Sequence, residues 1–307
     1  MSEAGGSEVM NAQTGLSEVS ENGLARVRPT SRKGFGRQQP GFGPSGTPRR
    51  RYRTIWISDV HLGTRGCNDR MLIDFLDHVD SDYLYLVGDI IDGWRMKKRF
   101  YWPERHNGIV RRVMKRAKRG TKVVYVPGNH DEMFRQFAGM NFGGVEIRLN
   151  ATHTTADGRK LLIVHGDEYD AVVLAHRWLA FLGDWAYRTL MQLNVGVNVV
   201  RRFFGLEYWS LSKHAKHKVK GAVSVISRFE EALAHEARSK GVDGVVCGHI
   251  HTAEIRDFDG VTYYNDGDWV EGCNALVEHF DGRMELLHWP DEIKVRNNAG
   301  ADMVAAA

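Results

Sequence analysis

The chain has 307 residues, of which 42% are apolar and 10% aromatic, a composition typical of a globular protein and not of a disordered one. Its net charge of +4 originates in residues 1–53, which carry nine basic and four acidic side chains, whereas the remainder carries 33 basic and 34 acidic ones. A basic balance that is confined to one end argues against a nucleic-acid-binding domain.

The cysteines and the lack of long apolar segments limit the cellular setting. Cys67, Cys247 and Cys273 are widely separated and form no CxxC pair, so neither a zinc-thiolate site nor a disulfide framework is indicated. The sequence shows no secretory signal pattern and no run of about 18 apolar residues. We therefore expect a cytoplasmic protein, either free or peripheral on the inner membrane.

Residues 1–50 are expected to form a disordered basic tail. They are rich in Gly, Ser, Pro, Arg and Gln and cannot bury enough apolar surface to offset the entropy of ordering. The basic run at 49–51 is interpreted as a solvated charge run, with contact to anionic lipid or nucleic acid as the alternative. Residues 51–290 are predicted to form one α/β domain, and residues 291–307 a flexible C-terminal tail.

The predicted elements of the domain alternate between strand and helix. Apolar runs predict strands at 54–58, 83–87, 122–126, 159–164 and 244–247, and amphipathic spacing predicts helices from 68 or 69 to 79 and over 107–119, the second ended by Gly120. Residues 170–237 predict a helical insert that is rich in Trp and Phe beside arginines. Short runs from 261 to 287, separated by Asp-Gly turns, predict a β-meander.

Five predicted strand ends carry residues of the types that bind metals. They are Asp59-Val60-His61, Gly88-Asp89-Ile90-Ile91-Asp92, Gly128-Asn129-His130-Asp131, His165-Gly166-Asp167 and Gly248-His249-Ile250-His251. Ligands in α/β sheets bind outside the carboxyl ends of the strands, so these groups should converge. Imidazole, carboxylate and amide oxygen suit a borderline-to-hard divalent cation. One such motif alone would more often be a structural detail, but five in this order predict a metal site.

The number of candidate ligands predicts two ions. Three or four histidines with two carboxylates and an Asn exceed what one ion needs, whereas two ions about 3.5–4 Å apart would use them all and would need a bridging carboxylate. Asp89 is predicted to be that bridge, because each of its two oxygens can bind one ion. Such a pair would generate hydroxide at neutral pH and would stabilise the charge that develops on an attacked phosphoryl group.

These five motifs resemble the signature of the calcineurin-like metallophosphoesterases, and the resemblance covers roughly residues 54–290. It implies a four-layer α/β/β/α sandwich of two mixed sheets, with an inserted helical cap, and a dimetal site at one edge. It also implies a role for each motif residue: Asp59, His61 and His251 hold the first metal, Asn129, His165 and His249 hold the second, Asp89 bridges them, His130 is the acid near the leaving group, Asp131 orients His130, and Asp92 lies behind the ligands.

Within that family, the run from Ser58 to Gly63, the His165-Gly166-Asp167 triplet and the helical insert are similar to the UDP-2,3-diacylglucosamine diphosphatases of lipid A synthesis. This similarity implies water attack on a pyrophosphate, Mn²⁺ as the metal and two acyl chains under the cap; the ligand set would also accept Fe, Zn or Co. The chain departs from that branch at His130, where the branch usually has arginine. It also lacks the usual proline-containing sequence after His249.

Two other functions fit the same residues. One is an enzyme of this fold that acts on a soluble substrate, such as a nucleotide, a nucleic-acid end or a phosphoprotein. The other is a non-catalytic metal-binding scaffold, although such a protein would usually have lost a ligand or the acid. The expected partner is a small-molecule phosphate ester, lipid-linked in the favoured interpretation, and no specific nucleic acid; an oligomer is compatible with the sequence.

The helical insert and four cations are the candidates for substrate contact. The insert is interpreted as a cap for acyl chains or a surface that rests on a membrane, with helices packed on the sandwich or on a second subunit as the alternative. Lys213, Lys216 and Lys220 recur at helical spacing and could face phosphates. Arg95, just after Asp92, is a similar candidate because guanidinium binds phosphate bidentately.

Overall fold

The computed structural model describes residues 49–169 and 217–305 as two β-sheets with helices on their outer faces. The first sheet, in spatial order, consists of β12 (Met284–His288), β11 (Asn274–Glu278), β1 (Arg50–Ile57), β2 (Val79–Val87), β3 (Lys122–Val126), β5 (Val145–Ile147) and β4 (Asn141–Phe142). The second consists of β6 (Ala151–Thr154), β7 (Lys160–Ile163), β8 (Gly244–Cys247), β10 (Val261–Asn265) and β9 (Glu254–Phe258).

The helices are α1 (Asp69–His78), α2 (Gly93–Lys98), α3 (Glu104–Lys118), α4 (His217–Ser239) and α5 (Trp289–Ala305), and short 3₁₀ turns lie at Glu132–Phe137 and Asp167–Tyr169. The central strands of both sheets are parallel: β1, β2, β3 and β5 in the first, and β7, β8 and β10 in the second. Antiparallel strands flank them in each sheet. Within each sheet the parallel strands therefore end at one common edge.

Three apolar clusters define the layers. The first packs α1 and α3 on the outer face of the first sheet, through side chains such as Leu72 and Ile109. The second fills the space between the sheets, with Trp56 and Tyr85 facing Val246. The third packs α4 on the outer face of the second sheet. Two mixed sheets between helical layers form an α/β/β/α sandwich, as the sequence predicted.

The two predicted amphipathic helices correspond to α1 and α3. In α1, Leu72, Phe75 and Leu76 are buried at the i, i+3, i+4 spacing that the sequence shows. Helix α3 begins three residues earlier than predicted, directly after Pro103, and ends one residue earlier than predicted, at Lys118. Gly120 follows it with a φ of +98°, a left-handed conformation that costs glycine little.

The basic run at 49–51 is not a solvated charge run. Arg49 pairs with Asp80 at 3.1 Å, and Arg51 pairs with Asp82 at 2.6 Å. Arg50, the first residue of β1, pairs with Glu292. The interpretation was wrong because acidic partners from β2 and α5 are far away in sequence. The rest of the predicted N-terminal tail lies outside the described residues.

A helix, α5, stands where the sequence predicted a flexible tail from residue 291. Trp289 is buried, packs edge-on against Phe75 with ring centroids 5.1 Å apart, and donates from Nε1 to Asp74 at 2.9 Å. Arg296 binds the same carboxylate at 3.0 Å. Among the described side chains, Trp289, the partly buried Ile293 and ion pairs to α1 and β1 hold this helix, and these few contacts produce no amphipathic pattern that can be recognised in the sequence.

The predicted helical insert lies mostly outside the described residues, which resume at 217. Residues 217–239 form α4, and its side chains Phe229, Leu233 and Ala234 belong to the cluster on the second sheet. The end of the predicted insert is therefore an outer layer of the sandwich and not part of a cap. Among the helices of the described ranges, none has both the length and the apolar character of a membrane span.

The docking of α5 can be tested through Trp289. We expect Trp289→Ala to lower the free energy of unfolding by about 3–5 kcal/mol, the usual cost of removing a buried tryptophan. Denaturant titration would measure it. Val295→Ala, at a position that is 60% exposed on the same helix, should change it by less than about 0.5 kcal/mol. Equal, small effects of both changes would mean that α5 is not anchored as described.

Candidate metal centre

The five predicted motifs all follow parallel strands, and they come from both sheets. Three follow β1, β2 and β3 of the first sheet, and two follow β7 and β8 of the second. A sixth strand, β10, is parallel to β8 and ends in Asn265-Asp266 at the same edge of the second sheet. The candidate site therefore lies where the ends of the two sheets meet.

The backbone at this edge is held in an unusual conformation. Within the described residues, seven that are not glycine have a positive φ, and five of these are Asp59, His61, Asp89, His249 and His251, with φ between 49° and 71°. The left-handed region costs such residues on the order of 1 kcal/mol each and is found where the surrounding structure enforces it, often at functional sites. The strain coincides with the predicted ligands.

Two glycines leave the space that the cluster needs. A Cβ on Gly88 would lie 2.2 Å from His165 Nδ1, and one on Gly128 would lie 2.4 Å from Asp89 Oδ1 and 2.5 Å from His165 Cδ2. Contacts this short do not occur in proteins. Any other residue at either position would displace the aspartate or the histidine.

Five of the predicted ligands and the predicted acid His130 form three overlapping groups whose candidate ligand atoms lie within 4.8 Å of one another: Asp59–His61–His251, His61–Asp89–His130 and Asp59–Asp89–His165. His251 Nε2 is 3.1 Å from Asp59 Oδ1, and His165 Nε2 is 3.4 Å from Asp89 Oδ1. His61 Nε2 is 3.9 Å from a carboxylate oxygen of each aspartate. Because the groups share residues, the positions that they offer to cations are adjacent to one another.

Three of the predicted ligands each have a buried polar atom without a hydrogen-bond partner among the described residues: Asp59 Oδ1, Asn129 Oδ1 and His165 Nε2. Buried polar atoms are normally satisfied, so unsatisfied ones need an explanation. Two oxygens and an imidazole nitrogen are suitable donors for a divalent cation. The residues therefore fit the metal ions that the motifs predict.

The ring of His249 lies at the margin of the cluster. It is 5.1 Å from the His165 ring and 5.9 Å from the Phe229 ring, centroid to centroid, and it belongs to none of the three groups. Its backbone N–H donates to Asp59 Oδ2 at 2.9 Å. His249 thus contributes to the site through its main chain, and a ligand role for its ring stays a prediction.

The electrostatics of the cluster favour a cation. Burial alone would raise the pKa of Asp89, but the hydrogen bond and charge of His165 and the backbone N–H of His130 lower it well below its usual range. Burial opposes protonation of His165, yet contacts with Asp89 and Asp59 raise the pKa of this imidazole to about 10. The buried carboxylates of Asp59 and Asp89 therefore favour a positive charge beside them. A metal ion that binds His165 must displace a proton from its imidazole.

The structure revises the residue that orients His130. The sequence assigned this role to Asp131, but the Asp131 carboxylate accepts hydrogen bonds from Ile90 N at 2.8 Å, Gly128 N at 2.6 Å and the hydroxyl of Tyr125. It therefore joins the loops after β2 and β3. That contact could not be recognised in the sequence, because adjacency along the chain does not give the direction of a side chain.

Asp92 is the carboxylate that lies against His130. Its Oδ1 is 3.1 Å from His130 Nδ1, and its Oδ2 is 3.3 Å from His61 Nδ1. It also accepts from Arg95 N at 2.8 Å and so caps α2. One carboxylate thereby lies within hydrogen-bond distance of His61 and places a negative charge beside His130, and the Nε2 atoms of both rings are 3.9 Å from Asp89 Oδ2. Such contacts behind the ligands fix ring orientation and tautomer.

A family model described as Calcineurin-like phosphoesterase matches residues 52–253, about two thirds of the chain. The chain belongs to the calcineurin-like phosphoesterase family. It is a metal-dependent phosphoesterase, and the family implies divalent metal ions at the cluster of aspartates and histidines. The phosphoesterase motifs identified in the sequence, from Asp59 to His251, all lie inside the matched range.

Three relatives of this phosphoesterase span most of the matched domain. UDP-2,3-diacylglucosamine hydrolase of Aliivibrio fischeri is 24% identical over 76% of this chain and 97% of its own length. The protein of that name in Chromohalobacter salexigens is 25% identical over 71% of this chain and 89% of its own. The DNA polymerase II small subunit of Thermoplasma acidophilum is 21% identical over 69% of this chain and 44% of its own.

Of the four predicted substrate residues, the structure describes the side chain of Arg95 alone. Arg95 is exposed on α2, two residues after the buried Gly93. Lys213 and Lys216 lie outside the described residues, and of Lys220 only the helical backbone is described. The sequence did not identify Trp94, whose ring lies 4.4 Å from the His130 ring at 34°. The available signal in the sequence was a Trp two residues after the motif residue Asp92.

The role of Asp92 can be tested with Asp92→Asn, which keeps an acceptor for the α2 cap but removes the negative charge that faces both imidazoles. We expect metal affinity or activity of the phosphoesterase to fall about 10–100-fold, with the free energy of unfolding changed by less than about 1 kcal/mol. Metal titration and denaturation would measure these. Asp131→Asn should instead act mainly on stability. If it alone impaired metal binding, the revised assignment would be wrong.

Proposed function

We propose that the chain hydrolyses a phosphate ester or pyrophosphate at a centre of two metal ions. Asp59, His61 and His251 would hold the first ion, and Asn129, His165 and His249 the second. Asp89 would bridge them, and Mn²⁺ is the proposed ion. The observation that carries this proposal is the position of Asp89: Oδ1 faces His165, whereas Oδ2 faces His61 and His130.

Two divalent ions in this position would lower the pKa of a bound water and neutralise charge that develops on the phosphoryl oxygens. The chain's own residues contribute orientation and a proton. The amide N–H of His130 donates to Asp89 Oδ1 at 2.9 Å, which fixes that carboxylate relative to the loop after β3. The His130 side chain is one quarter exposed, so a substrate oxygen can reach it.

His130 is the proposed acid for the leaving group. Its Nδ1 lies against Asp92, and its Nε2 faces the cluster. A carboxylate at Nδ1 stabilises the imidazolium, which can then give the proton on Nε2 to the oxygen that departs. The Trp94 ring packs on one side of the imidazole and limits its rotation.

Asp89 and His130 should differ in what their loss does. We expect Asp89→Ala to remove activity and to reduce bound metal to about one ion per chain or fewer, because the proposed bridge is gone. His130→Gln should lower kcat by about 10²–10⁴-fold with both ions retained, as for loss of a general acid. Metal analysis after loading with Mn²⁺, Fe²⁺, Zn²⁺ or Co²⁺, and turnover of an aryl phosphodiester, would measure both.

An outcome in which His130→Gln also loses an ion would contradict the acid role. His130 would then be a ligand, in agreement with its place in the His61–Asp89–His130 group. Full activity of Asp89→Ala would contradict the dimetal mechanism itself. The complete ligand set and the family membership leave the non-catalytic scaffold without support.

A lipid-linked sugar nucleotide such as UDP-2,3-diacylglucosamine is the proposed substrate. Two relatives with that name align over nearly their whole length. The segment 94–100, which follows Asp92, also supports a lipid-linked substrate. Trp94 and Phe100 are exposed beside the exposed cations Arg95, Lys97, Lys98 and Arg99. Aromatic side chains among basic ones are typical of a surface that contacts lipid with anionic groups, and peripheral binding to the inner membrane would follow.

A soluble substrate is the alternative, favoured by the histidine at position 130. The two substrate classes can be distinguished by whether the activity depends on acyl chains in the substrate. Each buried methylene contributes about 0.8 kcal/mol, so two of them already raise affinity more than tenfold. We expect kcat/KM for UDP-2,3-diacylglucosamine in detergent micelles to exceed that for unacylated UDP-glucosamine at least tenfold. Equal values, or faster cleavage of an aryl phosphodiester, would favour the soluble substrate.

A further inference from the structure

The hydroxyl of Ser58 has more acceptors than protons. Its Oγ lies 2.6 Å from Asp59 Oδ2, 2.6 Å from Asp266 Oδ1 and 3.0 Å from the carbonyl oxygen of Gly267. A hydroxyl carries one proton and can donate to only one of these oxygens. Two contacts as short as 2.6 Å between oxygens therefore require a second proton, on one of the two carboxyl groups.

Asp266 is the carboxyl group that holds this proton. It is fully buried, and its Oδ2 has no hydrogen-bond partner among the described residues. Burial raises the pKa of Asp266 well above its usual range. Asp59 differs, because the backbone N–H of His249 donates to its Oδ2 at 2.9 Å and the rings of His251 and His61 face its Oδ1. Asp266 then donates to Ser58 Oγ, and Ser58 donates to Asp59 Oδ2.

We propose that Asp266, as a neutral acid, is a positioning residue that acts through Ser58 to hold Asp59 for the first metal ion. The hydrogen bond from Ser58 and the one from His249 N both reach Asp59 Oδ2. With Oδ2 fixed, Oδ1 is turned towards His251 and His61 and is left without a hydrogen bond. That is the oxygen a cation would bind.

The segment that carries Asp266 also ties the two sheets together. Asn265 Nδ2 donates to Gly248 O at 2.8 Å, and Asp266 N donates to Cys247 O at 3.1 Å, both at the end of β8. Trp269 N donates to Asp59 O at 3.0 Å, at the end of β1. The segment Asn265–Trp269 therefore sets the spacing between Asp59 and His251, which come from different sheets.

This inference rests on the proposed metal centre, and metal affinity tests it without an activity assay. Mn²⁺ titration of the full-length chain by calorimetry would give the affinity of the variants. We expect Asp266→Ala and Ser58→Ala each to weaken the first ion about 10–100-fold. Asp266→Asn, a neutral isostere that can still donate to Ser58, should stay within about threefold of wild type.

The double variant Ser58→Ala/Asp266→Ala separates positioning from general loosening. If Asp266 acts through Ser58, the double variant should bind Mn²⁺ no more weakly than the weaker single variant. Glu278→Gln is the matched control, because Glu278 is equally buried and accepts from Thr54 Oγ at 2.5 Å, but it belongs to another polar cluster of the sandwich. It should lower stability and leave Mn²⁺ affinity unchanged.

The outcomes are distinct. Wild-type protein that binds no Mn²⁺, Fe²⁺, Zn²⁺ or Co²⁺ would overturn the proposed function. Normal Mn²⁺ affinity of Asp266→Ala, additive effects in the double variant, or an equal loss in Glu278→Gln would overturn the positioning role while the metal centre stands. An Asp266→Asn variant as weak as Asp266→Ala would overturn the neutral-acid assignment.

Discussion

Two carboxylates withdrawn from water, Asp59 and Asp89, are the constraint on which the rest of the structure depends. A buried carboxylate costs several kcal/mol unless its oxygens are hydrogen-bonded or paired with charge. Here the compensating groups come from other strand ends: the N–H of His249 for Asp59, and the N–H of His130 with the His165 ring for Asp89. The loops of both sheets must therefore meet at this edge, and a divalent cation is the counter-charge that they provide for.

The sandwich holds this edge through an apolar centre with polar contacts at the ends of its strands. Between the sheets, Trp56 stacks on Tyr85 and both pack towards the second sheet. At the end of β11, the buried Glu278 binds Thr54 and, across the sheets, His153. Beyond the carboxyl end of β1, the segment Asn265–Trp269 makes the cross-link. Slippage of one sheet against the other would break polar contacts at both ends, each buried and costly to leave unpaired.

Chemistry and substrate choice reside in different parts of the chain. The ligands follow buried strands and are oriented by carboxylates such as Asp92 that lie behind them. The surface that a substrate would meet includes exposed side chains of α2 such as Trp94, and exposed positions tolerate change more readily than buried ones. Family membership therefore establishes a metal-dependent phosphoesterase, whereas the identity of the ester depends on residues that the shared motifs do not include.

The sequence by itself determined the α/β class, the strand ends that carry the metal-binding residue types and the motifs whose resemblance to a known family implied the sandwich. Strand periodicity and residue type are local properties, and parallel strands must share an edge. The sequence could not determine which carboxylate faces which imidazole. Asp131 is adjacent to His130 in sequence but binds Tyr125, whereas Asp92, 38 positions earlier, lies against the ring. Three other features could not be read from the sequence for the same reason: the contact of Asp266 with Ser58, the ion pairs of Arg49–Arg51 and the docking of α5 through Trp289. Each depends on side-chain direction and on partners far apart in the chain, which only tertiary packing decides.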